Sequence, residues 1–307
     1  MANQLPFLTV YGHVTVDQIV SVHKFPEINE TVDIVDKKTT LGGTGPNIAV
    51  TAARLGVSTA LCAFVGDDFP DKYWQELTDS GLNISEMVSV DQYETSQATV
   101  INDDSLRTKV IFYQGPQGHA SELGVDLVSN AVRSERVHFC TGEPAYYLRL
   151  MGMLEGRHIA VDPSQETYRF WPREQLLKAL EKVDSLFCNE YEARIIEQRL
   201  GIKSVLDLDL PLIVRTDGAR GSVAKVDGQI EKIPCVKAAA AVDATGCGDA
   251  YRAGFYAGLY YGYFPSDALI LAATVSSFVL EKVGALTNTP RWDQVLERAK
   301  PYLEDRT

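Results

Sequence analysis

Positive charge is scarce in this sequence, and that scarcity limits the partners it can bind. The 307 residues include 29 Lys and Arg against 41 Asp and Glu, which gives a formal net charge of −12. An acidic chain is repelled by nucleic acid and by anionic membrane surfaces. We therefore expect neither as a partner, although a local cationic pocket for a phosphate ester is still compatible with this composition.

Paired cysteines and hydrophobic runs of membrane-spanning length are also missing. The five cysteines are widely spaced, and no C-x-x-C pair occurs. Free thiols in a reducing compartment are the simplest explanation. No apolar run reaches the roughly 18 residues that a membrane helix needs, and no basic region precedes an apolar core at the N-terminus. From these absences we expect a cytoplasmic protein.

Several common catalytic motifs are absent as well. The sequence has no G-x-x-x-x-G-K-[ST] P-loop and no G-x-S-x-G elbow. Two glycine-rich stretches, 43–48 and 246–251, fail the dinucleotide pattern G-x-G-x-x-G at its last position. The histidines lack metal-ligand spacing, so we expect structural or surface roles for them. They are His13, His23, His119, His138 and His158.

The sequence does contain an alternation of strand-like and helix-like segments. Residues 60–65 form a continuous apolar run that is typical of a buried parallel strand, and from residue 136 onward strands and helices alternate. This rhythm predicts an α/β fold with a mainly parallel sheet and helices on both faces. Because repeats and linkers are absent, we expect residues 1–307 to form a single domain.

Two segments depart from this alternation of strands and helices. Residues near 19–40 and 97–114 have the alternation and β-branched content of strands with one wet face, and a hairpin turn signal separates the two halves of the second segment at 102–105. We interpret both as a small β lid inserted into the main domain and formed by about 13–40 and 92–115.

Polar or glycine-rich turns occur at four predicted strand ends or helix starts. In the first, Gly42 and Gly43 let the backbone approach a ligand closely, and Asn47 offers a donor and an acceptor. The alternative is an ordinary helix entry with proline in its first turn. In the second, Asn189 and Glu192 either arrange Mg²⁺ through water or form a capping box.

The third turn, residues 216–221, either wraps a nucleotide or is only a hairpin-like turn. The fourth, residues 243–249, runs into an amphipathic segment that extends to about residue 263. If a helix starts near Gly248, its free N–H groups and its dipole form an anion site. An aspartate beside an anion site suggests proton transfer, whereas the alternative is that Asp249 caps the helix.

In this order, the four turns resemble those of the ribokinase, or PfkB, family of carbohydrate kinases. The resemblance runs from about Val10 to Gly284 and is most specific in residues 243–249, Asp-Ala-Thr-Gly-Cys-Gly-Asp, which are similar to the family's D-T-x-G-A-G-D signature. It implies a ribokinase-like three-layer αβα sandwich with a small β-sheet lid. It also implies ATP-dependent phosphorylation of a primary alcohol.

The resemblance further implies the role of each site residue. Asp249 takes the proton of the acceptor hydroxyl, and the N–H groups of Gly246, Cys247 and Gly248 form the anion hole for the transferred phosphoryl group. Glu192 holds Mg²⁺ through water, and a monovalent cation is a further candidate cofactor. The residues implied to lie along the nucleotide and its phosphates are Asn189, Thr216, Gly218, Gly221 and Asp243.

Two positions depart from the family signature. Ala244 stands where the family usually has threonine, and Cys247 replaces the usual alanine of the anion hole. A thiol at a helix N-terminus can have a lowered pKa. One hypothesis is therefore activity that is sensitive to oxidation at Cys247, and the alternative, which we favour, is an inert small residue.

The N-terminal half is most similar to the archaeal-type nucleoside kinases of this family, which implies the 5′-hydroxyl of a ribonucleoside as acceptor. The residues implied to bind it are Asp17, Gly42, Gly43 and Asn47 for the ribose, and Phe112 and Gln114, with Tyr113, for the base. One alternative is a free sugar or a sugar phosphate, for which Arg107 and Lys109 are candidate lid cations. Another is a catalytically silent nucleotide-binding regulator. In this family the lid often forms a homodimer interface.

Overall fold

A computed structural model describes residues 5–105 and 107–304. Its strands are β1 (Leu8–Tyr11), β2 (Thr15–Val22), β3 (Ile34–Gly42), β4 (Thr59–Gly66), β5 (Asn83–Val90), β6 (Gln97–Asp103), β7 (Thr108–Tyr113), β8 (Arg136–Phe139), β9 (His158–Val161), β10 (Ser185–Asn189), β11 (Leu212–Thr216), β12 (Ser222–Val226) and β13 (Gln229–Ile233). Its α-helices are α1 (Thr44–Arg54), α2 (Asp71–Asp79), α3 (Pro144–Met151), α4 (Arg173–Leu180), α5 (Glu190–Leu200), α6 (Cys247–Tyr260), α7 (Pro265–Val279) and α8 (Trp292–Glu304). Within these described residues, no helix is both long enough and apolar enough to cross a bilayer.

The larger sheet has nine strands in the order β13-β12-β11-β10-β9-β8-β1-β4-β5. Every pair from β11 to β5 is parallel, and only the β11–β12 and β12–β13 pairs are antiparallel. The predicted mainly parallel sheet is therefore confirmed. The sequence pattern did not predict β5 or the β12–β13 hairpin, because these strands carry many polar residues and lack a continuous apolar run.

The smaller sheet has four strands in the order β3-β2-β6-β7. The β6–β7 pair is the antiparallel hairpin expected at the turn 102–105, and β2 pairs with β6 in parallel. The sheet thus joins two segments of the chain that lie on either side of β4 and β5. This second sheet agrees with the predicted architecture, and its role as a lid stays a prediction.

Helices cover both faces of the larger sheet, which confirms the three-layer arrangement. On one face the core contains Ile48 of α1, Phe255 of α6 and Leu271 of α7. On the other face it contains Tyr147 of α3 and Ile196 of α5, packed around the fully buried Trp171. Because the strands between these layers are buried on both faces, their sequences are continuous apolar runs.

Helices α6 and α7 pack unusually closely, because α6 presents glycine at the contact. A Cβ atom on Gly254 would lie 2.9 Å from the Cα of Ala272 and from the Cβ of Val275. A Cβ atom on Gly258 would lie 2.7 Å from the Cβ of Ala268. Since α6 begins at Cys247, this packing fixes the position of the residues that start the helix.

We predict that Gly254→Ala destabilises the fold although alanine is the better helix former. The added methyl group overpacks the α6–α7 contact, and we expect a loss of about 1–3 kcal/mol in the free energy of unfolding. Chemical denaturation measures this change. Gly152→Ala is the matched control, because Gly152 ends α3 with φ −67 and its Cβ would approach no atom closer than 3.3 Å. Equal stability of the two variants would contradict the prediction.

Candidate active site

The polar residues singled out in the sequence meet at one edge of the larger sheet. Asn189 ends β10 and Thr216 ends β11, and these neighbouring strands are parallel. Asp162 follows β9 directly, and His13 follows β1. In open α/β sheets, ligands bind beyond the carboxyl ends of the strands. The sheet topology therefore gathers residues that are far apart in the sequence into one candidate site.

The turn before α6 presents backbone donors to this edge. Gly246 is the N-cap residue with φ +77, and a Cβ there would lie 2.3 Å from the Cβ of Ala285, so only glycine fits. The N–H of Cys247 donates to the carbonyl of Ala244 (3.1 Å). Across the part of the chain that the structure describes, the N–H groups of Gly246 and Gly248 have no acceptor. Two of the three predicted anion-hole donors are thus available, and the third is engaged within the turn.

Asp249 lies in the first turn of α6 and does not cap the helix. It is half-buried, and its Oδ2 accepts a hydrogen bond from the Asn47 side-chain Nδ2 (2.8 Å). Burial raises the pKa of this carboxyl to about 7, and the neighbouring charge of Asp162 adds to the effect, while Asn47 and Arg252 oppose it. A carboxyl group with this pKa can accept a proton near neutral pH.

A buried ion pair supports the same turn, and the sequence motifs did not predict it. The Nε of Arg252 donates to Oδ2 of Asp162 (2.8 Å), and its Nη1 donates to the carbonyl of Gly248 (3.2 Å). Burial alone would raise the pKa of Asp162, but Arg252 and His138 hold it below its ordinary value. The available signals were an arginine three residues after Asp249 in an otherwise apolar helix, and an aspartate directly after the apolar strand β9.

The capping-box alternative at the start of α5 is present in the structure. Oε2 of Glu192 accepts from the backbone N–H of Asn189 (2.8 Å), while Oδ1 of Asn189 accepts from the N–H of Glu192 (2.9 Å). Burial, together with the charges of Asp162 and Asp249, raises the pKa of Glu192 to about 7. Glu192 therefore both caps α5 and belongs to the group of acidic side chains at the candidate site.

These acidic residues outnumber the nearby positive charge. Asp162, Glu192 and Asp249 interact electrostatically with the single guanidinium of Arg252. Oδ1 of Asp162 is buried without a hydrogen-bond partner. Among residues 5–105 and 107–304, no group of three or more His, Cys, Asp or Glu side chains is arranged to hold a metal directly. An unpaired carboxylate oxygen in an acidic surrounding fits a hydrated divalent cation.

Two adjoining cavities extend from this acidic group. The polar one has a volume of ≈ 440 Å³ and includes Asp162, Asn189, Glu192 and Asp249 in its lining. The apolar one, of ≈ 410 Å³, is lined by Gly221, Val236, Cys247, Tyr251, Ser276, Leu280 and others. They share Thr216, Gly218, Ala219 and Gly248. A polar cavity beside an apolar one can hold the phosphates of a nucleotide in the first and its base in the second.

A third cavity, of ≈ 570 Å³, lies at the opposite edge of the sheet beside His158 and Asp184. It contains none of the predicted site residues, so we do not assign the active site to it despite its size. Asp243 lines neither of the two adjoining cavities. Its carboxylate accepts from the N–H groups of Thr245 (2.9 Å) and Gly284 (2.8 Å), so its described contacts hold two loops together.

The expected lowering of the Cys247 thiol pKa is wrong. Burial raises its pKa, whereas the prediction required a lowered one. The Sγ atom faces the carbonyls of Asp243 and Ser276, so it lies among hydrogen-bond acceptors instead of the free N–H groups of the turn. The oxidation-sensitivity prediction therefore loses its physical basis, and the inert small residue is the better description.

Glycines shape the acceptor side of the site. A Cβ on Gly42 would lie 2.0 Å from Oδ2 of Asp17, and Gly43 has φ +96 with its Cβ position 2.1 Å from the carbonyl oxygen of His13. Oδ1 of Asp17 and Oδ1 of Asn47 are buried without partners. Burial raises the pKa of Asp17. Two buried oxygens at this side of the site thus have acceptor capacity that ligand hydroxyl groups could use.

The smaller sheet contributes Phe112 and Gln114 to the same side. Phe112 packs edge-on against the His13 ring, with 5.3 Å between ring centroids, and Oε1 of Gln114 lies 3.0 Å from Nε2 of His13. Gln114 also donates to Oε1 of Glu166 (3.1 Å). His13 and Glu166 were not predicted as site residues, because a lone histidine after a strand and a glutamate in a short 3-10 helix carry no motif.

The candidate lid cations lie elsewhere. Arg107 pairs with Asp103, and both Arg107 and Lys109 lie over the ring of Phe25, at 5.2 and 4.5 Å from its centroid. The cation that does approach Phe112 is Arg169, whose guanidinium lies 6.0 Å from its ring centroid. The predicted role of Arg107 and Lys109 as acceptor-phosphate ligands is therefore not supported by their contacts.

Comparison with known proteins agrees with this geometry. The chain is 33% identical over 306 residues to a nucleoside kinase of Methanocaldococcus jannaschii, which covers 98% of this chain and 99% of that protein. The crystal structure of the nucleoside kinase from that organism, described as an archaeal member of the ribokinase family, matches with a TM-score of 0.89 and 31% identity over 97% of this chain and all of that one (100%). A ribokinase of Haemophilus influenzae is 24% identical over 308 residues, covering 94% of this chain and 97% of that protein.

The family model described as pfkB family carbohydrate kinase matches residues 5–292. The match confirms the predicted resemblance, and the relatives confirm its similarity to archaeal nucleoside kinases. This chain therefore belongs to the pfkB family of carbohydrate kinases, phosphotransferases whose acceptor is an alcohol group.

Proposed function

We propose that this protein transfers the γ-phosphoryl group of ATP to the 5′-hydroxyl of a ribonucleoside. The observation that carries the proposal is the 2.8 Å hydrogen bond between Asn47 and Asp249, because it joins the predicted acceptor side to the predicted base. The high similarity to an archaeal nucleoside kinase over nearly the whole chain supports the choice of a nucleoside. The remaining steps follow from contacts on either side of this bond.

On the acceptor side, the ribose hydroxyls supply the hydrogen-bond donors that the protein lacks. Oδ1 of Asp17 and Oδ1 of Asn47 each accept one hydroxyl hydrogen. Gly42 and Gly43 are needed because any side chain there would occupy the space of Asp17 or collide with the backbone of His13. The sugar is thereby oriented before transfer, which is the main protein contribution in phosphoryl transfer.

At the reacting centre, the Asp249 carboxylate takes the proton of the 5′-hydroxyl. The oxygen of that hydroxyl forms a bond to the γ-phosphorus, the bond between that phosphorus and the bridging oxygen breaks, and ADP leaves. The N–H groups of Gly246 and Gly248 donate to the oxygens of the transferred group, where the negative charge lies in the transition state. Arg252 holds the turn through its bond to Gly248.

The nucleotide occupies the two adjoining cavities, with its phosphates in the polar one. Thr216 and Gly218 line both cavities, and Gly221 lines the apolar one. Glu192 and Oδ1 of Asp162 are the groups that would hold Mg²⁺ through its waters. When bound, this ion neutralises phosphate charge. The free state of all five cysteines is consistent with a cytoplasmic location, which we also propose.

A free sugar is the second candidate acceptor, and similarity to a ribokinase supports it less strongly, at 24% identity. A silent nucleotide-binding regulator is disfavoured because the hydrogen bond from Asn47 to Asp249 and the free donors of Gly246 and Gly248 are in place. A monovalent cation requirement stays a prediction of the family resemblance.

We also propose that the smaller sheet forms a homodimer interface. Its edge strands β3 and β7 expose the apolar side chains of Ile34, Val35, Val110, Ile111 and Tyr113. Exposed apolar edge strands tend to pair with other chains unless they are covered. A second copy of this chain would cover them.

The main test is turnover of ATP with a panel of nucleosides and free sugars. We expect nucleosides to be phosphorylated with higher kcat/KM than ribose. Asp249→Asn should lower kcat by about 10²–10⁴-fold while ATP affinity stays within about twofold, because the base is removed while asparagine keeps nearly the size of the side chain that lines the polar cavity. Retained kcat in this variant would refute the base assignment. Intact ATP binding with no turnover of any acceptor would favour the silent regulator.

The raised pKa of Asp249 predicts a measurable dependence of stability on pH. The native carboxyl keeps its proton up to about pH 7, whereas the unfolded one loses it near pH 4, so stability falls as pH rises through this window. Asp249→Asn does not titrate and should be more stable than the wild type by about 2 kcal/mol at pH 8, with the difference vanishing near pH 4. Asp71→Asn, at the exposed start of α2, is the control for charge removal. A variant less stable than the wild type at pH 8 would contradict the assignment.

The interface proposal predicts that Ile111→Lys shifts the protein from dimer to monomer, because a charge would be buried against the second copy. Sedimentation velocity measures the change. Val125→Lys, at an exposed apolar residue outside the smaller sheet, is the matched control and should leave the dimer intact. A wild-type monomer at micromolar concentration would overturn the proposal.

A further inference from the structure

The buried arginine of α6 keeps hydrogen-bond donors that no protein group uses. A guanidinium has five N–H groups. In Arg252, Nε donates to Oδ2 of Asp162 (2.8 Å) and Nη1 donates to the carbonyl of Gly248 (3.2 Å), so one N–H on Nη1 and both on Nη2 remain. Across residues 5–105 and 107–304, no group accepts a hydrogen bond from Nη2. The side chain is only 5% exposed. Because buried donors usually have a partner, we expect a ligand to supply one.

The pairing of Arg252 with Asp162 also leaves groups unused. In the pair between Arg215 and Asp217, by contrast, Nε and Nη2 each bind one carboxylate oxygen (3.0 and 3.1 Å), which is the usual two-point geometry. Arg252 uses Nε alone, and Oδ1 of Asp162 is buried without a partner. The buried pair therefore keeps one donor nitrogen and one acceptor oxygen for other partners.

Both of these residues line the polar cavity, together with Gly248 and Asp249. Burial alone would lower the pKa of the Arg252 guanidinium, but the carboxylates of Asp162 and Glu192 raise it above its ordinary value, so the group stays charged. A charged guanidinium with free N–H groups at a cavity is suited to binding phosphate oxygens.

Resting on the proposed phosphoryl transfer, we propose that Arg252 is a catalytic residue whose Nη2 donates a hydrogen bond to a non-bridging oxygen of the transferred γ-phosphoryl group. Its Nη1 binds the carbonyl of Gly248, whose own N–H is one of the anion-hole donors. The guanidinium therefore adds positive charge beside the anion hole, where it stabilises the phosphoryl oxygens while the bond to the bridging oxygen breaks. No bond to Arg252 forms or breaks in this step.

The arrangement gives the two members of the ion pair different ligands. Oδ1 of Asp162 is one of the groups proposed to hold Mg²⁺ through water, whereas Nη2 of Arg252 binds the phosphoryl group. Because Nε and Nη1 of Arg252 are already held by Asp162 and Gly248, the guanidinium has its orientation before the nucleotide binds. Donors that are fixed in this way need no reorganisation at the moment of reaction.

The test compares ATP with ATPγS as phosphoryl donor in the full-length wild type and in Arg252→Lys. In ATPγS, one non-bridging oxygen of the γ group is replaced by sulfur, a weak hydrogen-bond acceptor. Lysine keeps the charge and can pair with Asp162, but it lacks the planar fork that reaches a second partner. We expect kcat with ATP to fall by about 10²–10³-fold. The ratio of kcat for ATP to kcat for ATPγS should fall by about 10-fold, while the Kd of ADP, which lacks the transferred group, stays within about threefold.

Arg215→Lys is the matched control, because Arg215 binds Asp217 at two points and lines neither nucleotide cavity. It should keep the wild-type kcat and the wild-type ratio. If Arg252 only held the turn in place, its variant would use both donors more slowly by the same factor, and that unchanged ratio would overturn the inference. A loss of ADP affinity as large as the loss of kcat would also overturn it, because the whole cavity would then be affected.

Arg252→Gln provides a second variant in case Arg252→Lys does not fold, and its melting temperature shows whether it does. Its amide can still donate to Asp162, but it has no charge and is too short to reach the phosphoryl group as well, so the ratio should fall in the same way. The ratio is measured with whichever acceptor the wild type phosphorylates. A sugar acceptor would therefore correct the proposed acceptor and leave this inference standing, whereas no turnover with any acceptor would refute both.

Discussion

The site depends on an excess of acidic groups around one guanidinium. Arg252 pairs with Asp162 and also interacts with Glu192 and Asp249, so at least two of the surrounding carboxyl groups have no full counter-charge of their own. Burial, together with the charge of Asp162, raises the pKa of Asp249 to about 7, and Oδ1 of Asp162 is buried without a hydrogen-bond partner. Other parts of the structure serve to hold these groups together, from the close α6–α7 packing to the capping box at α5. On the proposed function, the same imbalance would let a net acidic protein bind polyphosphate through a bridging cation.

The acceptor side likewise has buried oxygens that lack protein donors. Asp17, Asn47 and Glu166 each keep one buried oxygen without a protein donor. These oxygens come from β2, from α1 and from the short 3-10 helix Ser164–Tyr168 that follows β9, so separate parts of the chain contribute. Unpaired buried acceptors destabilise the empty protein, and a ligand rich in hydroxyl and N–H donors restores the missing bonds. Substrate selectivity and ligand stabilisation therefore have a common physical origin.

Much of the fold could be predicted from the sequence, because strands buried on both faces have to be continuously apolar. The apolar run 60–65 lies in β4, and the two segments that departed from the strand–helix alternation form the second sheet. The polar edge strand β5 and the β12–β13 hairpin lacked such a signal. In the site, glycine-rich turns were informative since their backbone geometry excludes side chains, as at Gly42 and Gly246. Arg252 and Glu166 could not be found in that way, because their importance lies in partners that only the tertiary structure supplies. The pKa of the Cys247 thiol was predicted wrongly because a sequence motif does not specify the direction in which a side chain points.

The hydrogen bond between Asn47 and Asp249 joins residues that are 202 positions apart. During synthesis the acceptor side, with α1 and the smaller sheet, leaves the ribosome long before α6 exists. The proposed base and phosphoryl-binding turn arrive only with the last fifth of the chain. A truncated chain that lacks α6 therefore lacks both groups, and we expect it to be unable to consume ATP. Phosphotransfer therefore requires that the helical layer containing α6 and α7 has packed against the sheet. Enzyme activity is then a measure of complete folding.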